Sequence, residues 1–401
     1  MPLDNPDVIV VGAGPAGSAL ACLLAERGHG VLLLDKADFP RDKTCGDGLS
    51  PRALRVLQQL GVLAEVSAAG YRINALKVFS PNGDHFTSPI PAHAGYPDHA
   101  LVLPRVQLDD ILRRRAMAAG AEFRRVMVSD LLRDAAAHVV GVRTDGAELR
   151  ARVVAFAAGA STAVLERAGL LAAPPALGRA ARTYFADVRG LSDAVEFHFD
   201  SVPLPGYGWV FPTSATTANV GAGYFLRAGQ RSPHATPRQT FDGFVANPYV
   251  AGLLAGAQPA APVKGYPLRF DFDRARTAWP GLYLVGEACG LVNPMTGEGI
   301  DFALESAEVA AEAIHHDLST AAAPEAAARR YARALRARFL SVFVNFGRVR
   351  DVYFQPWVLN RFVRAAQRHD ELRLRLVNIA LGHADPLHAL MPRSLWQVLV
   401  G

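Results

Sequence analysis

The sequence predicts an α/β chain built on a parallel sheet, with an inserted, mostly antiparallel β region and a helical C-terminus. Three observations lead there. The first is the succession Asp7-Val-Ile-Val-Val-Gly12, then Gly12-Ala-Gly-Pro-Ala-Gly17, then an Ala/Leu-rich stretch to Arg27, which reads as strand, tight turn and helix. Gly28 ends that helix and Val31-Leu-Leu-Leu-Asp35 follows as a second apolar strand, so the unit is βαβ and Rossmann-like. The second is a set of aromatic and β-branched runs between residues 175 and 265, such as Ala194-Val-Glu-Phe-His-Phe199, separated by Pro/Gly turns. The third is residues 328–401, a series of helical patterns punctuated by Pro356, Pro386 and Pro392.

Taken in order, a charged, glycine-containing loop spans Phe39 to Pro51, a helix is expected from Pro51 to Leu60, and hairpin strands between 71 and 100. Arg105 to Ala119 reads as an amphipathic helix and Arg152 to Ala158 as another apolar strand. The strand Gly281-Leu-Tyr-Leu-Val-Gly286 then leads through a glycine-rich loop into a long helix from Gly299 to His316, and residues 319–327 read as a small-residue linker. This organisation divides the chain into a discontinuous dinucleotide domain (1–70, 101–170 and 265–320), a β-sheet domain (71–100 and 171–264) and a helical region (321–401).

At 401 residues, 50% of them hydrophobic and 20% charged, the chain is long and apolar enough for more than one core, and disorder is excluded as its main state. No apolar run reaches the ~18 residues of a spanning helix, and the N-terminus shows no basic leader. Three cysteines, Cys22, Cys45 and Cys289, make neither a disulfide framework nor a metal cluster, so a cytoplasmic location is expected and no metal site. The +5 net charge belongs to the tail: residues 326–401 hold 13 Arg and 4 acids. Lacking an aromatic-interleaved basic patch, the chain is not expected to bind nucleic acid. The tail has two readings: an amphipathic bundle with solvated arginines, or basic helices making peripheral contact with an anionic membrane.

Gly12, Gly14 and Gly17 have the spacing of a dinucleotide turn, with Pro15 and Ala16 opening a helix whose N-terminus faces phosphate. Asp35, 18 residues after Gly17, stands where a carboxylate meets the adenosine ribose, with Lys36 beside it. FAD is favoured over NAD by the second glycine-rich block, Gly286-Glu-Ala-Cys-Gly-Leu-Val-Asn-Pro-Met-Thr-Gly-Glu-Gly-Ile300. Its helix start at Gly299 and Ile300 offers positive charge to a reduced flavin ring, with Glu287 at the ribityl chain.

These blocks resemble the FAD-dependent geranylgeranyl reductase family, within the aromatic-hydroxylase-like flavoproteins. The other two that carry the resemblance are Phe39-Pro-Arg-Asp-Lys-Thr-Cys-Gly-Asp-Gly-Leu-Ser-Pro-Arg52 and Tyr207-Gly-Trp-Val-Phe-Pro212 with Gly221-Ala-Gly223, the most specific of the four. The resemblance implies a cofactor set of Gly12, Gly14, Pro15, Ala16, Gly17, Asp35, Lys36, Arg41, Cys45, Gly46, Arg105, Gly286, Glu287, Gly297, Gly299 and Ile300. Within it, Arg105 would contact the FAD phosphates and Arg41 the region of the ring. Cys45, beside Lys43, is the candidate catalytic proton donor. Tyr207, Trp209 and Phe211 share one face of a strand and, with Pro294, would hold an apolar substrate; a plain core role is the alternative for the aromatics.

Two positions depart from the family: Glu287 replaces an Asp, and Ala158 stands where related flavoproteins carry Asp before Gly159. The function expected from the resemblance is reduction of carbon–carbon double bonds in an isoprenoid or other apolar polyene, with NAD(P)H or a small redox protein as electron donor. The alternatives are a flavin monooxygenase on the same scaffold, and an FAD-retaining non-redox cyclase or lipid-binding protein, which the loss of Asp at position 158 favours.

Overall fold

The structure, a computed structural model, describes residues 5–171, 175, 177–226 and 235–400. Residues 1–4, part of the stretch read for a leader, lie outside it.

Among the described residues, one sheet carries the N-terminal motif, in the order Ala278–Trp279, Leu282–Leu284, Val153–Phe156, Val8–Val11, Val31–Asp35 and Glu122–Arg125. All neighbours pair in parallel except the short edge strand Ala278–Trp279. Val8, Ile9 and Val10 have no exposed surface, since a parallel sheet is covered on both faces, and each buried side chain contributes ~1.5–3 kcal/mol. On one face the helix Pro15–Glu26 packs between the helices Arg105–Ala118 and Ile300–Ser319. A small antiparallel sheet, Val128–Arg133, Val139–Thr144 and Glu148–Arg150, packs beside Val153–Phe156.

The second large sheet runs Gln258–Pro259, Leu177–Ala186, Ala218–Phe225, Gly206–Pro212, Ala194–His198, Ala75–Phe79 and His85–Pro89, with Lys264–Arg269 also on Leu177–Ala186. Its pairings are antiparallel apart from Ala75–Phe79 with Ala194–His198. The fold class is therefore the one expected: a Rossmann-type sheet, a mostly antiparallel sheet and a helical C-terminal region.

That region comprises Pro324–Tyr353, Pro356–Arg368, Asp370–Ala380, a short 3₁₀ turn Pro386–Leu390, and Pro392–Val400. The prolines read as breakers each open the next helix, where a fixed φ suits the first turn and the missing N–H costs nothing. The expected linker is shorter than its composition suggested, because the preceding helix continues to Ser319 and the next begins at Pro324. No helix among the described residues is long and apolar enough to cross a membrane, and no group of His, Cys and acidic side chains is placed to hold a metal.

Candidate active site

The N-terminal turn owes its shape to contacts that only glycine permits. Gly12 has φ +104°, and a Cβ on it would sit 2.5 Å from the Ala157 carbonyl oxygen. A Cβ on Gly17 would fall 1.8 Å from the Gly12 oxygen, so its role is to seat the helix on the turn; it does not line the cavity. Gly14 is the N-cap of Pro15–Glu26 and has no side-chain cap, leaving the first amides of the helix open. The guanidiniums of Arg105 and Arg41 lie 3.7 and 3.8 Å from where its Cβ would be. Open amides, a helix N-terminus and two arginines suit a pyrophosphate.

Asp35 ends its strand with Oδ2 accepting from Ala13 N at 2.8 Å and Oδ1 from Ala37 N at 2.9 Å, so it pins the turn it was expected to complement. Its oxygens retain lone pairs for a ribose hydroxyl. Lys36 is exposed at the rim. Arg105 opens its helix almost fully buried, bonding Asp109 at 2.6 and 2.7 Å; burial opposes its charge, and Asp109 outweighs that and keeps it cationic. Arg41 pairs with Asp109 at 3.1 Å and Asp35 at 3.7 Å, beside the N-terminal turn.

The loop from Phe39 is held by ionic contacts across the fold. Asp42 meets Arg182 at 2.5 Å and Lys264 at 2.8 Å, and these partners hold its carboxyl below the usual range in spite of burial. Lys43 reaches Glu287 at 3.3 Å and lies over the Tyr266 ring. The Cys45 thiol interacts with the Arg105 guanidinium. Its carbonyl accepts from Asn219 Nδ2 at 2.7 Å, which ties the loop to the strand Ala218–Phe225.

Two residues further, Asp47 is fully buried. Its Oδ2 accepts from Tyr184 and Asn219 at 2.5 and 2.7 Å, and its Oδ1 from Arg105 N at 3.3 Å. Burial pushes its carboxyl up to about 6 against these hydrogen bonds.

In the second glycine-rich block, Gly286 packs against Ala16, where a Cβ would meet the alanine methyl at 2.8 Å, and it stays out of the cavity. Glu287 accepts from Arg269 N at 3.2 Å, the extra methylene letting the carboxylate span from that amide to Lys43. Cys289 is buried with its Sγ donating to the Leu284 carbonyl, and burial pushes both it and Cys22 up, Cys22 to about 11, as suits core thiols. Asn293 Oδ1 accepts from Met295 N and Thr296 N, folding the loop so that Gly297 and Gly299 face the cavity. Gly299 is an N-cap without a side-chain cap, so the start of Ile300–Ser319 presents its positive end there, although Phe302 N is taken by Asp301 Oδ1 at 2.8 Å. Glu298 and Asp301 also line this rim, and burial pushes both carboxyls up, reinforced by the charge of Asp301 at Glu298 and of Glu305 at Asp301.

Pro294 does not line the cavity, contrary to expectation. It is buried behind the loop and its carbonyl accepts from Arg350 Nη1 at 3.2 Å.

Tyr207, Trp209 and Phe211 do share one face, and all three line the cavity with Phe197, whose ring lies 5.5 Å from Tyr207 and 5.3 Å from Phe211. Tyr207 donates to the Thr296 carbonyl and Trp209 Nε1 to Asn219 at 3.0 Å. Gly221 explains the Gly-x-Gly: a Cβ there would strike the Trp209 ring at 2.2 Å. Gly46 faces this wall, its Cβ position 3.2 Å from the Phe211 ring.

The two sets thus line one continuous cavity of about 690 Å³, with amides and charges at one end and aromatic and aliphatic side chains at the other. Asp47, Tyr184, Arg182, Asn219 and Glu298 were not anticipated. Asp47 sits in Gly-Asp-Gly, within the loop expected from Phe39 to Pro51, and its partners are 137 and 172 residues away.

A family model for FAD binding domains matches residues 5–196. A menaquinone reductase of Mycobacterium tuberculosis is 34% identical over 358 residues, 86% of this chain and 85% of that protein. A digeranylgeranylglycerophospholipid reductase of Methanopyrus kandleri is 35% identical over 333 residues, 79% of this chain and 83% of that protein. The fold is shared with a geranylgeranyl bacteriochlorophyll reductase-like protein of Thermoplasma acidophilum, at a TM-score of 0.80, 23% identity and coverage of 91% and 92%. The chain belongs to the geranylgeranyl reductase family and is an FAD-dependent oxidoreductase.

Proposed function

We propose that the enzyme saturates carbon–carbon double bonds of an isoprenoid or similarly apolar polyene. The observation that carries this is the two-ended cavity, in a chain similar to reductases named for a prenylated quinone and a prenylated lipid. When bound, reduced FAD supplies hydride to the alkene, with NAD(P)H or a small redox protein as the source of electrons.

The chain's own residues do the rest. The amides after Gly14, with Arg41 and Arg105, hold the cofactor phosphates, and Asp35 takes the adenosine ribose. Glu287 meets the ribityl chain, and the helix start at Gly299 and Ile300 favours negative charge on the ring. Phe197, Tyr207, Trp209 and Phe211 orient the alkene and exclude water. Cys45 gives a proton from Sγ to the carbon opposite the hydride, and Asn219 and Asp47 position its loop.

The test is product mass after anaerobic incubation of the chemically reduced enzyme with prenylated quinones, prenyl lipids and other polyenes. A gain of two hydrogens per bond supports the proposal. A product that forms only in air and gains oxygen means a monooxygenase, and turnover with oxidised flavin alone means a non-redox enzyme.

A further inference from the structure

Of the nine large hydrophobic side chains exposed among the described residues, six fall between 352 and 396: Val352, Trp357, Leu374, Leu387, Met391 and Trp396. The two tryptophans are the most exposed of the nine, at 57% and 64%. A monomer in water gains nothing from presenting indole rings this way.

Most of these side chains stand on elements that pack on one another. Leu387 and Met391 are one turn apart, and Met391 leads into the helix Pro392–Val400 that bears Trp396. Arg393 of that helix bonds Glu371 at 3.2 Å, one turn before Leu374. The same helix packs on Pro356–Arg368, where Trp357, Arg361, Arg364 and Arg368 recur at i, i+4, i+7 and i+11 as one exposed stripe. The Arg361 guanidinium lies 5.9 Å from the Trp357 ring centre. The last 76 residues carry 13 Arg against 4 acids. The same region reaches the active site, since Ala380 and Leu381 line the apolar end of the cavity.

We propose that this face docks on an anionic lipid bilayer, with Trp357 and Trp396 in the interface and the arginines on lipid phosphates, and that the apolar substrate enters the cavity from there. The last clause rests on the proposed function; the docking itself does not. Tryptophan suits this place because its ring is amphipathic, and arginine because its planar fork matches phosphate. Neither signal suffices alone, and together they give reversible binding that salt weakens.

The experiment is co-sedimentation of the FAD-loaded enzyme with phosphatidylcholine vesicles, with and without 30% phosphatidylglycerol, at ~0.1 and ~1 M salt. The proposal expects binding to anionic vesicles, at least tenfold weaker in high salt, and a blue shift of tryptophan fluorescence. Trp357→Ser/Trp396→Ser should lose at least tenfold in binding, and Arg361→Gln about fivefold. Both variants should keep FAD and turnover on a short, water-soluble prenyl substrate. If the double variant is insoluble, quenching of the parent's fluorescence by brominated lipid decides. Absence of binding to any vesicle, equal binding by the double variant, absence of quenching, or self-association abolished by the tryptophan changes would each overturn the proposal. Vesicle binding without alkene reduction would remove only the proposed function, and alkene reduction without vesicle binding only the docking.

Discussion

The two ends of the cavity are built by different means. The end at the N-terminal turn is shaped by backbone contacts that admit no side chain at Gly12, packed on Ala157, or at Gly17, packed on Gly12. The apolar end joins strands and loops far apart in the chain, and its shape depends on side chains meeting: Trp209 on Asn219, Asn219 on Asp47, and Asp47 on Tyr184. The first should fail all at once and the second by degrees.

Gly17→Val tests the sharper failure. Its Cβ would overlap the Gly12 carbonyl, and a loss on the order of 3 kcal/mol or more is expected, with protein purified free of flavin absorption. A variant that keeps FAD and its melting temperature would mean the turn is not what holds the cofactor. Cys45→Ser tests the boundary between the ends. It should retain FAD at full stoichiometry and lose about 100-fold in turnover, and undiminished turnover would leave the thiol a packing group.

Asp47→Asn probes the tertiary network through its pH dependence. Burial raises the Asp47 carboxyl from its ordinary 3.8 to about 6, so the folded chain holds this proton more tightly than the unfolded one. That contribution is fully present below pH 4 and is lost as pH rises through 6. The asparagine cannot titrate and places an amide among donors. It should therefore be the less stable protein at pH 4, with the gap narrowing by on the order of 3 kcal/mol by pH 7. Denaturation curves that stay parallel from pH 4 to 7 would show that Asp47 is not buried as described. The smallest effect belongs to Trp209→Phe, which removes the bond to Asn219 and should cost about 1 kcal/mol with FAD retained. A loss as large as that of Gly17→Val would erase the contrast between the ends.

The same contrast explains what was legible in the sequence. The turn at Gly12–Gly17 and the parallel strands declare themselves locally, because glycine spacing and apolar runs are properties of neighbouring residues. So does the alternation of Tyr207, Trp209 and Phe211, which fixes a shared face. The partner of a charge is not written locally. Lys43 adjoins Cys45 in sequence yet reaches Glu287, while Arg105, 60 positions on, interacts with the thiol. The carboxylates that Arg41 meets, Asp35 and Asp109, likewise come from other elements. Pro294 follows a residue that does shape the loop, but its own carbonyl is turned back to Arg350. Asp47 falls in the loop expected from Phe39 to Pro51, where its φ is +66°, and nothing nearby in the sequence shows that its carboxyl is buried.

The proposed function requires that both ends of the cavity serve one reaction. Its most direct test is to reduce the bound flavin without oxygen, add a prenylated polyene, and follow the oxidised flavin absorption in the parent and in Trp209→Ala. The polyene alone should restore the absorption in the parent, and much more slowly in the variant although its flavin is bound and reducible. A flavin that stays reduced with every polyene until air is admitted would contradict it.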